Sequence, residues 1–143
     1  MSEQISVSEC ETQASQFATF DIMRQLRPHL EEQSYPDALE ALQAEGARVI
    51  AAYQDGDIVG CAVFRVEFRL AHGRMAYVDD LVADAARRSS GVGAALMEWI
   101  SVEAKSQGAN FVVLDSGVHR GSAHRFYFRE GFEITSFNFK KRL

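Results

Sequence analysis

The chain has 143 residues, 47% of them apolar and 24% charged, ordinary proportions for a globular fold, and its length suits one domain, 1–143, around a single core. A net charge of −5 argues against a general nucleic-acid or membrane-surface binder, which needs a basic face. Cys10 and Cys61 are too few for a disulfide framework and lack metal-ligand spacing. With no apolar leader in MSEQISVSEC and no run long enough to span a bilayer, the expected location is a reducing cytoplasm.

QISVSEC alternates apolar and polar residues and reads as a first strand. Between Glu11 and Leu30, the residues Phe17, Phe20, Met23, Leu26 and Leu30 recur every three or four positions, as on a helix, and Pro28 sits near its end. YPDALEALQAEG reads as a second helix, with Pro36 near its start and Gly46 at its C-terminal end. ARVIAAYQ and IVGCAVFRVEFRL flank Asp55-Gly56-Asp57, and Asp-Gly supplies the tight turn of a hairpin. A second turn at AHGR leads into the strand MAYVDDLVA. RRSSGVGAALMEWI then passes from loop to helix, because Val92, Leu96, Trp99 and Ile100 recur at helical spacing, and this helix ends near Gly108. FVVLDSG is a continuous apolar run, expected of a strand covered on both faces. SAHRFYFRE is a short helix closed by Gly131. FEITSFNF alternates as a last strand, an edge through which a homodimer could form.

Two stretches carry chemistry. Arg88, Gly91 and Gly93 precede a long amphipathic helix, whose first amides and positive dipole end suit an anion. Glycines there can also serve only to tighten the turn. The spacing is neither that of a Walker loop nor that of a dinucleotide-binding turn. Arg87 and Arg88 add positive charge suited to a diphosphate. Downstream, Ala123, Phe126 and Tyr127 fall on one helix face; Phe126 reads as a core ring, whereas a buried Tyr127 hydroxyl needs a polar partner.

With these two motifs in order, the chain resembles the GNAT superfamily of acetyl-CoA-dependent N-acetyltransferases. Arg88, Gly91 and Gly93 match that family's Q/R-x-x-G-x-G/A loop; Ala123, Phe126, Tyr127, Gly131 and Phe132 match its later helix. The segment AHRFYFREGFEITSFNF also resembles the end of the aminoalkylphosphonate N-acetyltransferases, small members of the superfamily. The resemblance implies an α/β fold: a mixed, mostly antiparallel sheet with two splayed parallel central strands, flanked by helices. It implies acetyl-CoA as cosubstrate, its pantetheine arm bonded to main chain of Leu81, Val82 and Ala83. The diphosphate would rest on the amides of Ser89, Ser90, Gly91, Val92, Gly93 and Ala94, with Arg88 beside it.

Acetyl transfer to an amine needs a base for the ammonium and an acid for the departing thiolate. Alternation along YVDDLVA places Tyr77, Asp79, Leu81 and Ala83 on one face and Val78, Asp80 and Val82 on the other. Asp79 falls where many members carry a glutamate, so it is the first candidate base and Asp80 the second; pairing with an arginine is the competing role for either. Tyr127 matches the family's general acid. Arg120 stands where many members have a cofactor-contacting asparagine, and is a candidate phosphate contact. No metal is expected, since His72, His119 and His124 lack ligand spacing. The expected partners are acetyl-CoA and a small primary amine, with no nucleic acid and no membrane. The acceptor pocket is expected around Arg24 to Tyr35 and Phe68 to Arg74. A peptide or protein N-acetyltransferase and a catalytically silent acyl-CoA-binding module are the competing functions.

Overall fold

The computed structural model describes residues 4–87 and 90–143, and its packing divides into two compact units, Met1–Val113 and Leu114–Leu143. In the first, β1 (Ser6–Glu9) leads to three helices, α1 (Gln13–Phe17), α2 (Phe20–Leu26) and α3 (Tyr35–Ala44). The strands β2 (Arg48–Gln54), β3 (Asp57–Arg69) and β4 (Gly73–Ala83) follow. A 3₁₀ turn (Ala85–Arg87), α4 (Val92–Ser106) and β5 (Phe111–Leu114) come next, β5 ending at the boundary. The sheet order is β1-β2-β3-β4-β5, antiparallel through β4, with β5 parallel beside it. Among the described residues, no helix is long and apolar enough to cross a membrane.

Local chemistry explains these boundaries. Asp55 and Gly56, at φ 55° and 80°, make the hairpin turn between β2 and β3. The single helix expected from Glu11 to Leu30 is two. Thr12 starts α1 with a capping box, exchanging 3.1 Å bonds with Ser15. The chain then turns at Ala18-Thr19, where the buried Thr19 hydroxyl donates to Gln16 O at 2.6 Å and meets the Tyr35 hydroxyl at 2.7 Å. Because the one Thr19 proton is spent on Gln16, Tyr35 is the donor to Thr19. The buried bond locks α2 to α3, and helical periodicity does not register such a tertiary contact. Arg27, preceding Pro28, adopts φ −121° and ψ 75° and ends α2.

The sheet is covered on both faces. Phe20, Met23, Tyr35 and Leu39 from the first helices pack against Val49, Ala51, Cys61 and Val63. On the other face α4 crosses β1 to β4, and the Trp99 ring stands edge-on to Phe64, centroids 6.1 Å apart. Phe64, Leu96 and Ile100 are fully buried, each contributing about 1.5–3 kcal/mol by leaving water. α4 approaches β3 closely over Gly60. A Cβ built there would lie 2.5 Å from Val92 Cγ1 and 3.0 Å from Val82 O, so only glycine admits the helix at this depth. β5 departs from the expectation of cover on both faces: it ends the strand order, and Phe111 is 54% exposed.

In the second unit, α5 (Gly121–Arg129) is followed by Gly131 at φ 91°, and the Phe132 N–H turns back to Tyr127 O at 2.9 Å. The expected last strand is not formed. Residues 132–143 have no regular structure, and Ile134, Phe137 and Phe139 are exposed. Alternation marks two faces, but a strand exists only through a ladder with a neighbour. Here the Asn138 amide instead donates to the Asp115 carboxylate at 3.2 Å.

Candidate active site

The two carboxylates of β4 do not lie on opposite faces, as simple alternation predicts. Val63 stands opposite Asp80, but its neighbour Phe64 stands opposite Val78. Asp79 is therefore an extra residue, a β-bulge. Cross-strand partners share a face, so Asp80 and Val82 lie with Val63 and Cys61 on the side of α1–α3. Arg65, one residue beyond Phe64, faces that side too. It holds Asp79 with a fork of two bonds, 3.1 and 3.2 Å. The bulge thus turns both carboxylates toward the first helices.

Their environments differ. Asp79 is clamped by Arg65; burial pushes its carboxyl above the usual carboxylate range, against the pull of the Arg65 bonds. Asp80 accepts from Nε of Arg27, the residue just past α2, at 2.8 Å and opens into a cavity of about 350 Å³ beneath α2 and α3. Met23, Leu30, Leu39, Leu42 and Val63 line it, with Arg27 and His29 at its polar side. This volume is at the small end for ligand sites. Of the two acceptor-pocket segments expected, the α2–α3 region lines the cavity and Phe68 to Arg74 does not.

Past the bulge, β4 continues through Leu81, Val82 and Ala83, paired on one edge with β3. On its other edge, β5 begins near Arg74, where the Asn110 N–H donates to Arg74 O at 3.0 Å, and runs four residues. The chain then turns at Asp84, pinned from α2 by Gln25. The Gln25 amide donates to Asp84 Oδ1 at 3.1 Å and accepts from the Ala85 N–H at 2.8 Å. The Gln25 bond to Oδ1, with one from the Ala86 N–H, holds the Asp84 carboxyl below its ordinary value. Ser90 donates to Arg87 O, and Gly91, at φ 89°, is the N-cap of α4. Its two chain neighbours apart, no described residue has an atom within 4 Å of where a Gly91 Cβ would project. Ser90, Gly91, Val92, Gly93 and Ala94 are thus brought to one helix start. Arg88 and Ser89 lie outside the described residues.

In the second unit Tyr127 is largely enclosed, with Phe126 and Phe132 edge-on at 5.4 and 5.7 Å. Burial raises its pKa, opposed by the charge and hydrogen bond of Arg120. Arg120, the candidate phosphate contact, lies close enough to the Tyr127 hydroxyl to oppose that rise. Sequence reasoning missed Arg65 and Gly60, and reached Arg27 and Gln25 only within the segment Arg24 to Tyr35; the roles of all four arise from partners distant in the chain. Only Gly60 leaves a sequence signal, as an isolated glycine within a strand.

A mixed sheet flanked by helices, with a glycine-started helix after a bulged strand, defines an α/β architecture with a helix start at a strand end. Residues 16–132 match the Acetyltransferase (GNAT) family. Over 125 residues the chain is 35% identical to the uncharacterized N-acetyltransferase YhdJ of Bacillus subtilis (strain 168), covering 86% of this chain and 88% of that protein. It is 31% identical over 120 residues to the aminoalkylphosphonate N-acetyltransferase of Salmonella typhimurium (strain LT2), covering 82% and 78%. That likeness extends well beyond the C-terminal segment. Among solved structures, the aminoglycoside N-acetyltransferase AAC(6')-Iy in complex with CoA superposes with a TM-score of 0.86 at 16% identity, covering 100% of this chain and 97% of that one. The chain belongs to the GNAT acetyltransferase family, and so to the acyl-CoA-dependent N-acetyltransferases.

Proposed function

We propose that this protein transfers the acetyl group of acetyl-CoA to the primary amine of a small molecule, with Asp80 as the base and Tyr127 as the acid. The observation that carries this reading is Asp80 itself: of the two β4 carboxylates, it is the one that opens into the small cavity. Asp79, held by two bonds to Arg65, keeps a structural role. The amides of Ser90 to Ala94 would hold the diphosphate. The open space before Gly91 and the free amides of a helix start suit that anion. Main chain of Leu81, Val82 and Ala83 would hold the pantetheine arm and polarise the acetyl carbonyl. Arg88 would add its charge at the loop.

When bound, acetyl-CoA supplies the acetyl thioester. Asp80, directly or through a water, takes one proton from the acceptor ammonium. The N–C bond forms as the C–S bond breaks, and the Tyr127 hydroxyl gives a proton to the departing sulfur and regains one from the amine nitrogen. Arg120 favours the momentary tyrosinate. The names of two relatives, an aminoalkylphosphonate and an aminoglycoside N-acetyltransferase, support a small-molecule acceptor, as does the size of the cavity. The test is a panel of small amines and of peptides, followed by coenzyme A release. Turnover confined to small amines is expected. Turnover of peptides alone would make it a peptide acetyltransferase, and acetyl-CoA binding without any turnover would make it a silent binding module.

A further inference from the structure

In the cavity beneath α2 and α3, the base is not free. Asp80 is paired with Arg27 at 2.8 Å, the Arg27 side chain being 45% exposed and that of Asp80 only 15%. The lining otherwise offers apolar side chains, Tyr35 and a second basic group, His29; among the described lining residues Asp80 is the one carboxylate. A simple ammonium ion drawn to Asp80 enters beside the guanidinium and meets like charge, with no second carboxylate in the lining to offset it. A molecule carrying both an ammonium and an anion a few bonds apart meets no such penalty. Its ammonium takes the place of Arg27 on Asp80, and its anion takes the place of Asp80 on Arg27.

Resting on the reading of this cavity as the acceptor site, we propose that the acceptor is a small zwitterion, a primary amine bearing a carboxylate, phosphonate or phosphate, and that Arg27 holds the anionic group. Arg27 is suited to the task. Its fork binds planar or tetrahedral oxyanions through two bonds, and Nη2 is tethered to Asp79 O at 3.3 Å, which holds the head beside Asp80. Arg27 thus acts as a specificity-determining residue.

The experiment compares three-carbon-sized amines on the full chain: 2-aminoethylphosphonate and β-alanine against n-propylamine and 1,3-diaminopropane, with kcat and KM measured separately. The acidic amines are expected to lead propylamine in kcat/KM by about 10- to 100-fold, the worth of one charge-assisted bond, with the diamine slowest. Arg27→Met is expected to bring the acidic-to-neutral ratio to about one, and Arg27→Lys to restore part of it. Calorimetric acetyl-CoA affinity establishes that each variant is folded. A ratio near one in the wild-type enzyme, or the same ratio in Arg27→Met, would overturn the zwitterion proposal while leaving small-amine acetylation standing. Failure of every amine with acetyl-CoA bound would overturn both.

Discussion

Gly60→Ala is a one-carbon change whose consequence can be worked out from distances. The added Cβ would sit 2.5 Å from Val92 Cγ1, 3.0 Å from Val82 O and 3.1 Å from Leu96 Cδ1, where carbon contacts ordinarily settle at about 3.5–4.0 Å. Val92 must retreat by roughly 1 Å. It is the first residue of α4, directly after Gly91, so the retreat moves the helix start proposed to hold the diphosphate. Overpacking of this kind costs about 1–3 kcal/mol, and acetyl-CoA affinity should fall with it. Urea denaturation reads the first effect and titration calorimetry the second. Val92→Ala removes the clashing methyls, so the double variant should be less destabilised than the sum of the singles by about 1 kcal/mol or more, as expected for contacting residues. Unchanged stability and affinity in Gly60→Ala, or strict additivity in the pair, would refute the close-packing explanation.

Gln25→Ala removes both bonds that pin the Asp84-Ala85 turn; acetyl-CoA affinity should weaken by up to about fivefold, the worth of roughly 1 kcal/mol, with little change in melting temperature. Tyr35→Phe should cost about 1 kcal/mol at neutral pH through loss of the bond to Thr19. The buried Tyr35 hydroxyl is raised from 10.0 to about 12, so the unfolded chain ionises first. The wild-type advantage over Tyr35→Phe should therefore be intact below pH 10 and shrink as pH rises toward 12, which paired thermal melts would show. Tyr127→Phe should lower kcat by about 10²-fold or more with acetyl-CoA affinity retained; near-normal kcat would remove Tyr127 from the mechanism.

Much of the fold was legible because it follows from local chemistry. Asp55-Gly56 dictated its hairpin, Gly91 opened α4, Gly131 closed α5, and period 2 or 3.6 marked the elements between. What escaped depends on partners far along the chain. The break at Thr19 is set by Tyr35, and the bulge at Asp79 by the register of β3. That bulge decided the reading of the site. Asp79 and Asp80 were both visible as candidate acids, but which one reaches a cavity and which one is clamped by an arginine could not be read from alternation alone. The last strand failed for the converse reason: its pattern was right, but among the described residues no neighbour completes it.

Asp80→Asn, compared with Asp79→Asn, tests the central claim most directly. Both are near-isosteric and both remove a carboxylate from the same bulge. If Asp80 is the base, Asp80→Asn should lower kcat/KM for the preferred amine by about 10²-fold or more, with acetyl-CoA affinity and melting temperature nearly unchanged. Asp79→Asn should instead lose about 1–3 kcal/mol of stability, by leaving the half-buried Arg65 without its charged partner, and retain most of its turnover once folded. Wild-type turnover in Asp80→Asn, or a loss of turnover confined to Asp79→Asn, would contradict the assignment.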